Sequence, residues 1–306
     1  MPRLTLSVRS VDDAHTRGVL DHLVRTATLI DGQPPFSDQA LIDVASGART
    51  LIVAVEPQDP PVDPVDFAVV GAAILGHGEL EFVIEPEWRR HGYGRAALRG
   101  VLASCPPQVR IWAHGDHPAS RVLAEEFGFS AVRTLLQLRL TKAPANRARS
   151  ATAGHADVTV GPFRPGHDEA EWLEVNALAF ASHPEQGRMT LDDLRAREAE
   201  SWFDAEDFLL ARGRDGDLLG FIWLKIEDGV GEHRIGEIYA VGVHPAAGGR
   251  GLGRLLMEAG LSRVQERHVD SVTLYVEADN VPAVSLYRSL GFTDHTIDVQ
   301  YARTSI

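Results

Sequence analysis

A glycine-rich turn with interspersed arginines, GGRGLGRL, occupies residues 248–255 and has the composition of an anion-binding loop. Glycines let a backbone approach its ligand closely, and the free N–H groups of a first helical turn point at a bound phosphate. Arg250 and Arg254 add local positive charge. A second turn of this kind, RRHGYGRA at residues 89–96, carries three arginines. Both turns therefore predict contacts with a phosphorylated ligand.

The surroundings of the two turns are repeated along the chain. FVIEPEWRRHGYGRAAL from Phe82 and YAVGVHPAAGGRGLGRLL from Tyr239 each combine an apolar strand, a proline, the turn and an amphipathic helix. Further on, IWAHGDHPASRVLAEEFGF and LYVEADNVPAVSLYRSLGF each combine a strand, an acidic turn, a helix and a terminal Gly-Phe. Two matching blocks in the same order indicate a duplicated chain.

Hydrophobic periodicity predicts the elements that would hold the second turn in place. The predicted helices are Asp168–Phe180, Thr190–Ser201 with Thr190 as N-cap, Leu252–Arg267 and Pro282–Leu290. The predicted strands are Phe208–Arg212, Leu218–Ile226, Gly236–Val243 and Val272–Glu277. In the first half, Thr50–Val55 and Phe67–Leu75 are predicted strands, and the Pro/Asp-rich segment Glu56–Asp66 is a hairpin or surface loop.

A low-order segment, TKAPANRARSATAGHAD at Thr141–Asp157, has the composition of a linker. It divides the chain into predicted domains at residues 1–141 and 157–306, joined by residues 142–156. The length of 306 residues agrees with two domains.

Bulk properties exclude several classes of protein. The formal net charge of -13 argues against a general nucleic-acid binder, because phosphate neutralisation requires basic residues. Long apolar runs and a secretory signal are absent from the sequence, so we expect neither membrane insertion nor export. The single cysteine, Cys105, rules out an intrachain disulfide, and a cytoplasmic monomer is the expectation. The sequence holds no Cys/His cluster with the spacing of metal ligands, so no metal is expected.

Three kinds of glycine-rich turn compete as interpretations of residues 248–255. A P-loop would end in Gly-Lys-Ser/Thr, which is missing, and a dinucleotide fingerprint would have a third glycine where Leu256 stands. The third is the Q/R-x-x-G-x-G/A pyrophosphate loop of the GNAT acetyltransferase superfamily, which both turns resemble. Residues 89–94 fit it fully, whereas the second turn has Gly248 at the first position. The resemblance implies an α/β (α+β) fold of two tandem GNAT domains, each a mixed, mostly antiparallel sheet flanked by helices. It also implies acetyl-CoA as cosubstrate, with a site in each domain.

Acetyl transfer to an amine needs a base for the amine, a donor for the carbonyl oxygen and stabilisation of the leaving thiolate. Glu237 is a carboxylate on an apolar strand that leads into the turn, and we assign it as general base through water. Simple alternation places it on one strand face with Tyr239, Val241 and Val243. By resemblance to the superfamily, the Val243 N–H would bind the acetyl carbonyl where the strands splay at a bulge, and Tyr287 would protonate the sulfur.

The internal repeat predicts that the two halves differ in chemistry. Aligned through the glycine-rich turns, Glu237 corresponds to Gly78, and aligned through Gly-Phe, Tyr287 corresponds to Ala124. The first half would therefore bind CoA or support the fold without catalysis. Its acids Glu79 and Glu81, or His114, remain alternative bases.

Several strings resemble the mycothiol synthase family more closely: AFASHPEQG, ESWFD, GFIWLK and GEIYAVGVHPAA in the second half, and DGQPP and WAHGDHP in the first. The resemblance covers nearly the whole chain. It implies transfer of acetyl from acetyl-CoA to the cysteinyl amine of cysteinyl-glucosaminyl-inositol, a small pseudo-disaccharide with an amine and a thiol, in actinobacterial mycothiol synthesis.

The same resemblance implies binding residues position by position. Its acceptor-binding residues are Asp38, Glu185, Lys225, Glu237 and Tyr275, where Asp38 replaces a usual Glu. Its acetyl-CoA contacts in the second half are Val241, Gly242, Val243, Gly248, Gly249, Arg250, Gly251, Leu252, Gly253, Arg254, Asn280, Val281, Pro282, Ala283, Val284 and Ser285. Its acetyl-CoA contacts in the first half are Phe82, Val83, Ile84, Arg90, His91, Gly92, Tyr93, Gly94 and Arg95. His183 is expected to be structural.

Two other functions remain open on the sequence alone. One is a tandem acetyltransferase acting on a different amine, such as an aminoglycoside or a protein N-terminus. The other is a non-catalytic acyl-CoA-binding module, against which the pair Glu237 and Tyr287 argues.

Overall fold

A computed structural model describes residues 2–57, 68–141, 155–181, 184–228 and 234–303, with the side chains of Pro184, Glu185 and Asp228 outside that description. Most of the predicted linker and of the loop that follows Glu56 thus lies outside the described residues, as does His183. Within the described ranges, no helix has both the length and the apolar character required to cross a membrane.

The chain forms two compact units, of which the first comprises residues 1–136, 277–279 and 296–306. Its elements begin with β1 (Thr5–Arg9), α1 (Ala14–Asp31), α2 (Asp38–Ala45), β2 (Thr50–Glu56), β3 (Ala68–Gly76), β4 (Glu79–Ile84), α3 (Tyr93–Leu102), β5 (Arg110–His114), α4 (Pro118–Glu126) and β6 (Phe129–Thr141). Strands β1 to β4 pair antiparallel in order, and β4 pairs parallel with β5 over Glu79–Glu81.

Apolar side chains fill both faces of the first sheet. One cluster joins α1 and α2 to the sheet through side chains such as Leu23, Phe36 and Ile74, and another joins α3 and α4 through Leu80 and Leu98. Asp13 is the N-cap of α1, and its carboxylate accepts from the N–H groups of the first turn. The sheet is therefore covered by helices on both sides.

The second unit comprises residues 137–276 and 280–295. Its elements are β7 (Thr159–Pro162), α5 (Glu169–Ala179), α6 (Pro184–Gly187), α7 (Leu191–Glu198), β8 (Phe208–Arg212), β9 (Leu218–Asp228), β10 (Arg234–Val243), α8 (Leu252–Glu266), β11 (Ser271–Glu277), α9 (Val281–Ser289) and the start of β12 (Thr293–Arg303). Strands β7 to β10 pair antiparallel in order, and β10 pairs parallel with β11. The second unit thus repeats the strand plan of the first.

The mixed, mostly antiparallel sheet flanked by helices confirms the predicted fold class. Predicted elements in the second half match within two residues at nearly every end, and Thr190 caps α7 through a reciprocal capping box with Asp193. The helix predicted to Ser201 ends earlier, at Glu198.

Segments from both ends of the chain contribute to the first unit. Residues 298–302 of β12 pair antiparallel with β5, and Val299 and Tyr301 enter the apolar cluster under α3 and α4. The end of β6, residues 137–141, belongs to the second unit, and the end of β12, residues 296–303, belongs to the first. The compact units therefore exchange their last strands, and the domain division at residues 142–156 stays a proposal. This exchange gives β5 an antiparallel neighbour that the first half of the sequence does not supply.

Candidate functional site

The glycine-rich turn of the second unit forms a cradle of backbone N–H groups. Gly249 and Gly251 have φ of 73° and 78°, a left-handed conformation that favours glycine. Gly251 is the N-cap of α8, so no side chain caps the first-turn N–H groups. Arg250 and Arg254 are exposed beside it, and Arg254 donates to Ser289 Oγ of α9 at 2.6 Å. An anionic group would meet both N–H donors and guanidinium charge here.

The first unit repeats this cradle with the same backbone. Arg90 and Gly92 have φ of 67° and 88° at the matching positions, and Gly92 caps α3. Arg89, the extra match to the family pattern, lies against protein groups: it donates to Asp31 at 2.7 Å and to the Ile84 carbonyl at 2.9 Å. Arg89 therefore stabilises the first loop through contacts within the protein. The second loop has Gly248 at this position and lacks those contacts, but the N–H groups at the start of α8 do not depend on them.

Strand β10 contains a bulge at Tyr239, where its register with β9 shifts between Ile238 and Ala240. The bulge corrects the predicted strand face. Tyr239 shares the Glu237 face and lies 5.0 Å from the Trp223 ring, whereas Val243 packs on the other face with the α8 cluster. Alternation alone placed Val241 and Val243 with Glu237, and the extra residue reverses this. The bulge was expected at Val243, but it lies four residues earlier, at Tyr239.

Backbone groups at the end of β10 point into a gap between strands. Pairing of β10 with β11 covers Ile235–Ile238, while pairing with β9 continues to Val243. The His244 N–H donates to the Leu219 carbonyl of β9 at 2.8 Å. Because antiparallel N–H groups alternate in direction, those of Val241 and Val243 point away from β9, toward the splayed side. A carbonyl oxygen placed there would have a backbone donor.

Polar side chains cross one face of the second unit beside the bulge. Glu237 stands opposite Lys225 of β9 and Thr273 of β11, and Tyr275 follows two residues later on the same face. We name Lys225, Glu237, Thr273 and Tyr275 the acceptor face, after the role predicted for Lys225, Glu237 and Tyr275. Of these, Tyr275 is 47% exposed, so a solute can reach it.

Neighbouring groups orient the acceptor face. Gln137 of β6 donates to the Tyr275 hydroxyl at 2.6 Å. The Lys225 ammonium lies 5.7 Å from the Trp202 ring centroid and 3.0 Å from a Glu227 oxygen. Sequence reasoning missed Gln137 and Trp202; the only signal was the ESWFD string that contains Trp202.

Tyr287 lies within α9 and is 7% exposed. Burial raises the pKa of its phenol to about 12, so it stays protonated at neutral pH. A leucine of the same helix, Leu286, lies 3.4 Å from where a Cβ on Gly253 would stand. The α9 helix is thus packed against the cradle at the start of α8. Its first turn is capped by Asn280, which accepts from the Ala283 N–H.

The remaining predicted acceptor residues lie on helix starts. Asp38 is the exposed first residue of α2 in the first unit. Glu185 lies on α6, and its side chain is outside the described residues. Buried Asn176 holds α6 by donating to the Gln186 carbonyl at 2.7 Å, and a Cβ on Gly187 would stand 2.6 Å from the Phe180 carbonyl. Sequence reasoning missed Asn176 as the anchor of this loop.

The first unit has a carboxylate where the second has Glu237, which corrects the predicted correspondence with Gly78. Strand β4 pairs with β3 without a shift from Ile84 to Glu79. Counting back over the same number of partners on β10 reaches Glu237, because Tyr239 is the extra residue. The equivalent of Glu237 is therefore Glu79, one residue beyond the sequence alignment.

Glu79 is enclosed by donors. Arg49 donates to Oε2 at 3.2 Å, while Trp112 and Gln300 donate to Oε1 at 3.1 and 3.0 Å. A Cβ on Gly76, the partner of Glu79 on β3, would lie 2.6 Å from the Arg49 side chain. Arg49 thus covers the position that Lys225 holds in the second unit.

His114 and Glu81 complete this ionic network. His114 lies 3.1 Å from Glu81 and 3.2 Å from Asp298. Burial alone would lower the pKa of His114, but the hydrogen bonds with Asp298 and Glu81 raise it to about 9. Glu81 also accepts from the Ser37 N–H at 2.7 Å. A protonated histidine between two carboxylates does not act as a base, which argues against the alternative bases of the first half.

Five of the nine residues predicted to contact acetyl-CoA in the first unit line a cavity of about 340 Å³, whereas His91, Gly92, Tyr93 and Arg95 are not among its lining residues. Phe82, Val83 and Ile84 of β4 line it, together with Arg90 and Gly94 of the cradle. Among the described residues no group of acidic, histidine or cysteine side chains could hold a metal ion.

Comparison with known proteins agrees with these features. The model of the Acetyltransferase (GNAT) family matches residues 172–292. The mycothiol acetyltransferase of Clavibacter sepedonicus is 45% identical over 94% of this chain and 91% of its own, and that of Kocuria rhizophila is 41% identical over 97% and 99%. The structure of a GCN5-related N-acetyltransferase from Sphaerobacter thermophilus is similar with a TM-score of 0.68 at 20% identity, covering 99% of this chain and 97% of that one. A tandem GNAT protein from the clavulanic acid biosynthesis pathway gives 0.64 at 17%, covering 99% and 100%. The two structures share the fold, and the sequence relatives show that the chain belongs to the mycothiol acetyltransferase family of GNAT acetyltransferases.

Proposed function

We propose that this chain transfers the acetyl group of acetyl-CoA to the cysteinyl amine of cysteinyl-glucosaminyl-inositol, giving mycothiol and CoA, and that the second unit catalyses the reaction. The observation that carries this proposal is the place of Glu237. It lies on the acceptor face at the bulge of β10, on the strand that leads into the α8 cradle.

The cradle supplies the grip on the cosubstrate. The first-turn N–H groups of α8, with Arg250 and Arg254, fit the diphosphate of CoA. Gly251 has a left-handed backbone conformation that residues with a Cβ rarely adopt. The N–H groups of Val241 and Val243 would then direct the thioester along the splayed side of β10. Acetyl-CoA is a cosubstrate that delivers the acyl group.

Two side chains carry out the proposed proton transfers, Glu237 of β10 and Tyr287 of α9. Glu237 takes the proton of the ammonium through water, which frees the amine to attack the thioester carbon. The Val243 N–H donates to the carbonyl oxygen as its charge develops. A C–N bond forms and the C–S bond breaks, and the protonated phenol of Tyr287 donates its proton to the departing sulfur. The nitrogen releases its second proton to water as the amide forms, and Tyr287 regains a proton from water, which completes the cycle. No covalent bond to the protein is needed.

The acceptor residues suit a polyol that carries an amine. Lys225 and the Tyr275 hydroxyl can bond hydroxyl oxygens, and Glu237 can also attract the ammonium. Asp38 and Glu185 complete the proposed set. The sequence identity of about 40–45% with mycothiol acetyltransferases supports this acceptor over an aminoglycoside or a protein N-terminus. The proposal further includes one acetyl-CoA site in each unit and a monomeric protein.

A substrate panel tests the proposal. The purified protein is incubated with acetyl-CoA and cysteinyl-glucosaminyl-inositol, an aminoglycoside or an N-terminal peptide, and CoA release and product mass are recorded. We expect turnover with the first amine at least about 10²-fold above the others. The already acetylated product serves as the control without a free amine. Equal or greater turnover with another amine would reject this acceptor, and no turnover with any would favour a binding module.

A further inference from the structure

The cavity of the first unit has an apolar interior and a basic entrance. Leu98, Ile111, Ala113 and Leu123 form its walls, beside Phe82 of β4. Arg89, Arg90, His117 and Ser120 line it on the side of the cradle. At about 340 Å³ it falls in the size range of small-molecule sites.

Ala124 widens this cavity at the place where the second unit has a phenol. Both residues lie in the helix that ends at a left-handed glycine before phenylalanine, four residues ahead of Gly128 and Gly291 respectively. Tyr287 fills its position with a buried ring, whereas Ala124 lines the cavity. Since Tyr287 is proposed to face the thioester sulfur, the extra room in the first unit adjoins the acyl group.

The loop after α1 covers one side of the cavity, where Gln33, Pro34 and Pro35 are among the lining residues. Gln33 of the loop after α1 contacts Thr296, and Ser37 of the same loop donates to Glu81. A Cβ on Gly115 would collide with the Gln33 side chain. An acceptor amine therefore has no counterpart of the acceptor face to approach.

The charges behind this side of the cavity select against anions. His114 lines the cavity, and in the network behind it the carboxylates Glu79, Glu81 and Asp298 outnumber the cations Arg49 and His114. Both His114 nitrogens face carboxylates, so they are not available to a carboxyl-bearing acyl group. An uncharged aliphatic acyl group suits the site better.

We propose that the first unit is a non-catalytic site for CoA thioesters of uncharged acyl chains longer than acetyl, such as butyryl. This inference rests on the proposed binding of CoA by the first unit. The site holds the thioester without transfer, because Glu79 is enclosed by donors and the phenol is replaced by Ala124.

Binding to the full chain tests the inference, with the second cradle weakened by G253E so that the first site is titrated before it. Calorimetry with CoA, acetyl-CoA, butyryl-CoA and succinyl-CoA gives the four affinities. Two more buried methylene groups should tighten butyryl-CoA about tenfold over acetyl-CoA. Succinyl-CoA should bind at least about tenfold more weakly than butyryl-CoA. Equal affinity for acetyl- and butyryl-CoA would overturn the inference while leaving the CoA site intact, and absence of any CoA binding would overturn both.

Substitution of the wall residue provides a second measurement. A124Y restores the ring of the other unit and should remove the preference for butyryl-CoA while CoA still binds. A103Y makes the same exchange at an exposed residue after α3 and should keep the preference. Retention of the preference in A124Y would show that the acyl chain lies elsewhere.

Discussion

The two units carry equivalent carboxylates in different surroundings. Glu79 and Glu237 occupy the same place on β4 and β10, but three donors from Arg49, Trp112 and Gln300 surround the first. The second lies opposite Lys225, on the strand face where Tyr275 is 47% exposed. The difference shows that a duplicated acid can become structural through its neighbours while it stays in place.

A second difference concerns the glutamine on the strand beside the site. Gln300 of β12 donates to Glu79 in the first unit, whereas Gln137 of β6 donates to the Tyr275 hydroxyl in the second. Glutamines at similar strand positions thus help to enclose Glu79 in the first unit and orient the Tyr275 hydroxyl in the second.

Removal of the base should have the largest effect. E237A should lower kcat by about 10²-fold or more with little change in acetyl-CoA affinity, because amine deprotonation is lost. The matched variant E79Q should change kcat by less than about twofold. Steady-state kinetics and calorimetry on both proteins, with circular dichroism to confirm folding, make the comparison. Similar losses in the two variants would contradict the contrast between the units.

A negative charge introduced into each cradle should separate their roles. G253E and G94E place a carboxylate in the first turn of α8 or α3 at residues whose backbone tolerates a side chain, since a Cβ meets only ordinary contacts. Each should weaken one CoA site by roughly 10- to 10²-fold through repulsion of the diphosphate. Native mass spectrometry should show one bound CoA in each variant, with turnover lost in G253E. Loss of turnover in G94E alone would reverse the assignment.

The ionic network should stabilise the first unit in a pH-dependent way. The folded-state pKa of His114, about 9, exceeds its unfolded value near 6.5, so its contribution is complete below about pH 6.5 and is lost as pH rises through 9. H114Q should lower the free energy of unfolding by about 1–3 kcal/mol at pH 7, because Glu81 and Asp298 lose a partner. Denaturation at pH 7 and pH 9 should show a smaller difference for H114Q than for the parent. The exposed control H167Q should behave as the parent, and an unchanged pH dependence in H114Q would refute the role of the histidine.

Loss of the phenol should have the smallest effect. Y287F should lower kcat about tenfold while acetyl-CoA affinity stays within about threefold, since only the donor to the sulfur is removed. Because the pKa of Tyr287 is about 12, its ionisation should not lower kcat below about pH 11. A decline of kcat between pH 8 and 10 that Y287F abolishes would contradict this protonation state.

Much of the fold was predictable because it follows from local patterns. Period-two and period-3.6 apolar spacing placed β8, β10, α8 and β11 within two residues of their ends, and paired glycines marked both cradles. The repeat with a terminal Gly-Phe matched Ala124 with Tyr287 correctly to helices α4 and α9. These features depend on residues close together in the chain.

The errors came from features that depend on strand pairing. Tyr239 is an extra residue only relative to its partner on β9, so no local signal separated Glu79 from Gly78 as the equivalent of Glu237. The donors around Glu79 come from residues up to 221 positions away in sequence.

The sequence by itself determined the duplicated strand and helix plan, the two cradles and the identities of the candidate acid–base groups, because periodicity and glycine spacing are local properties. Tertiary structure alone decided that three donors enclose Glu79, which strand face carries Val243 and which unit receives the last strand. Those outcomes depend on hydrogen bonds and packing between residues far apart in sequence, and a one-residue bulge is enough to change them.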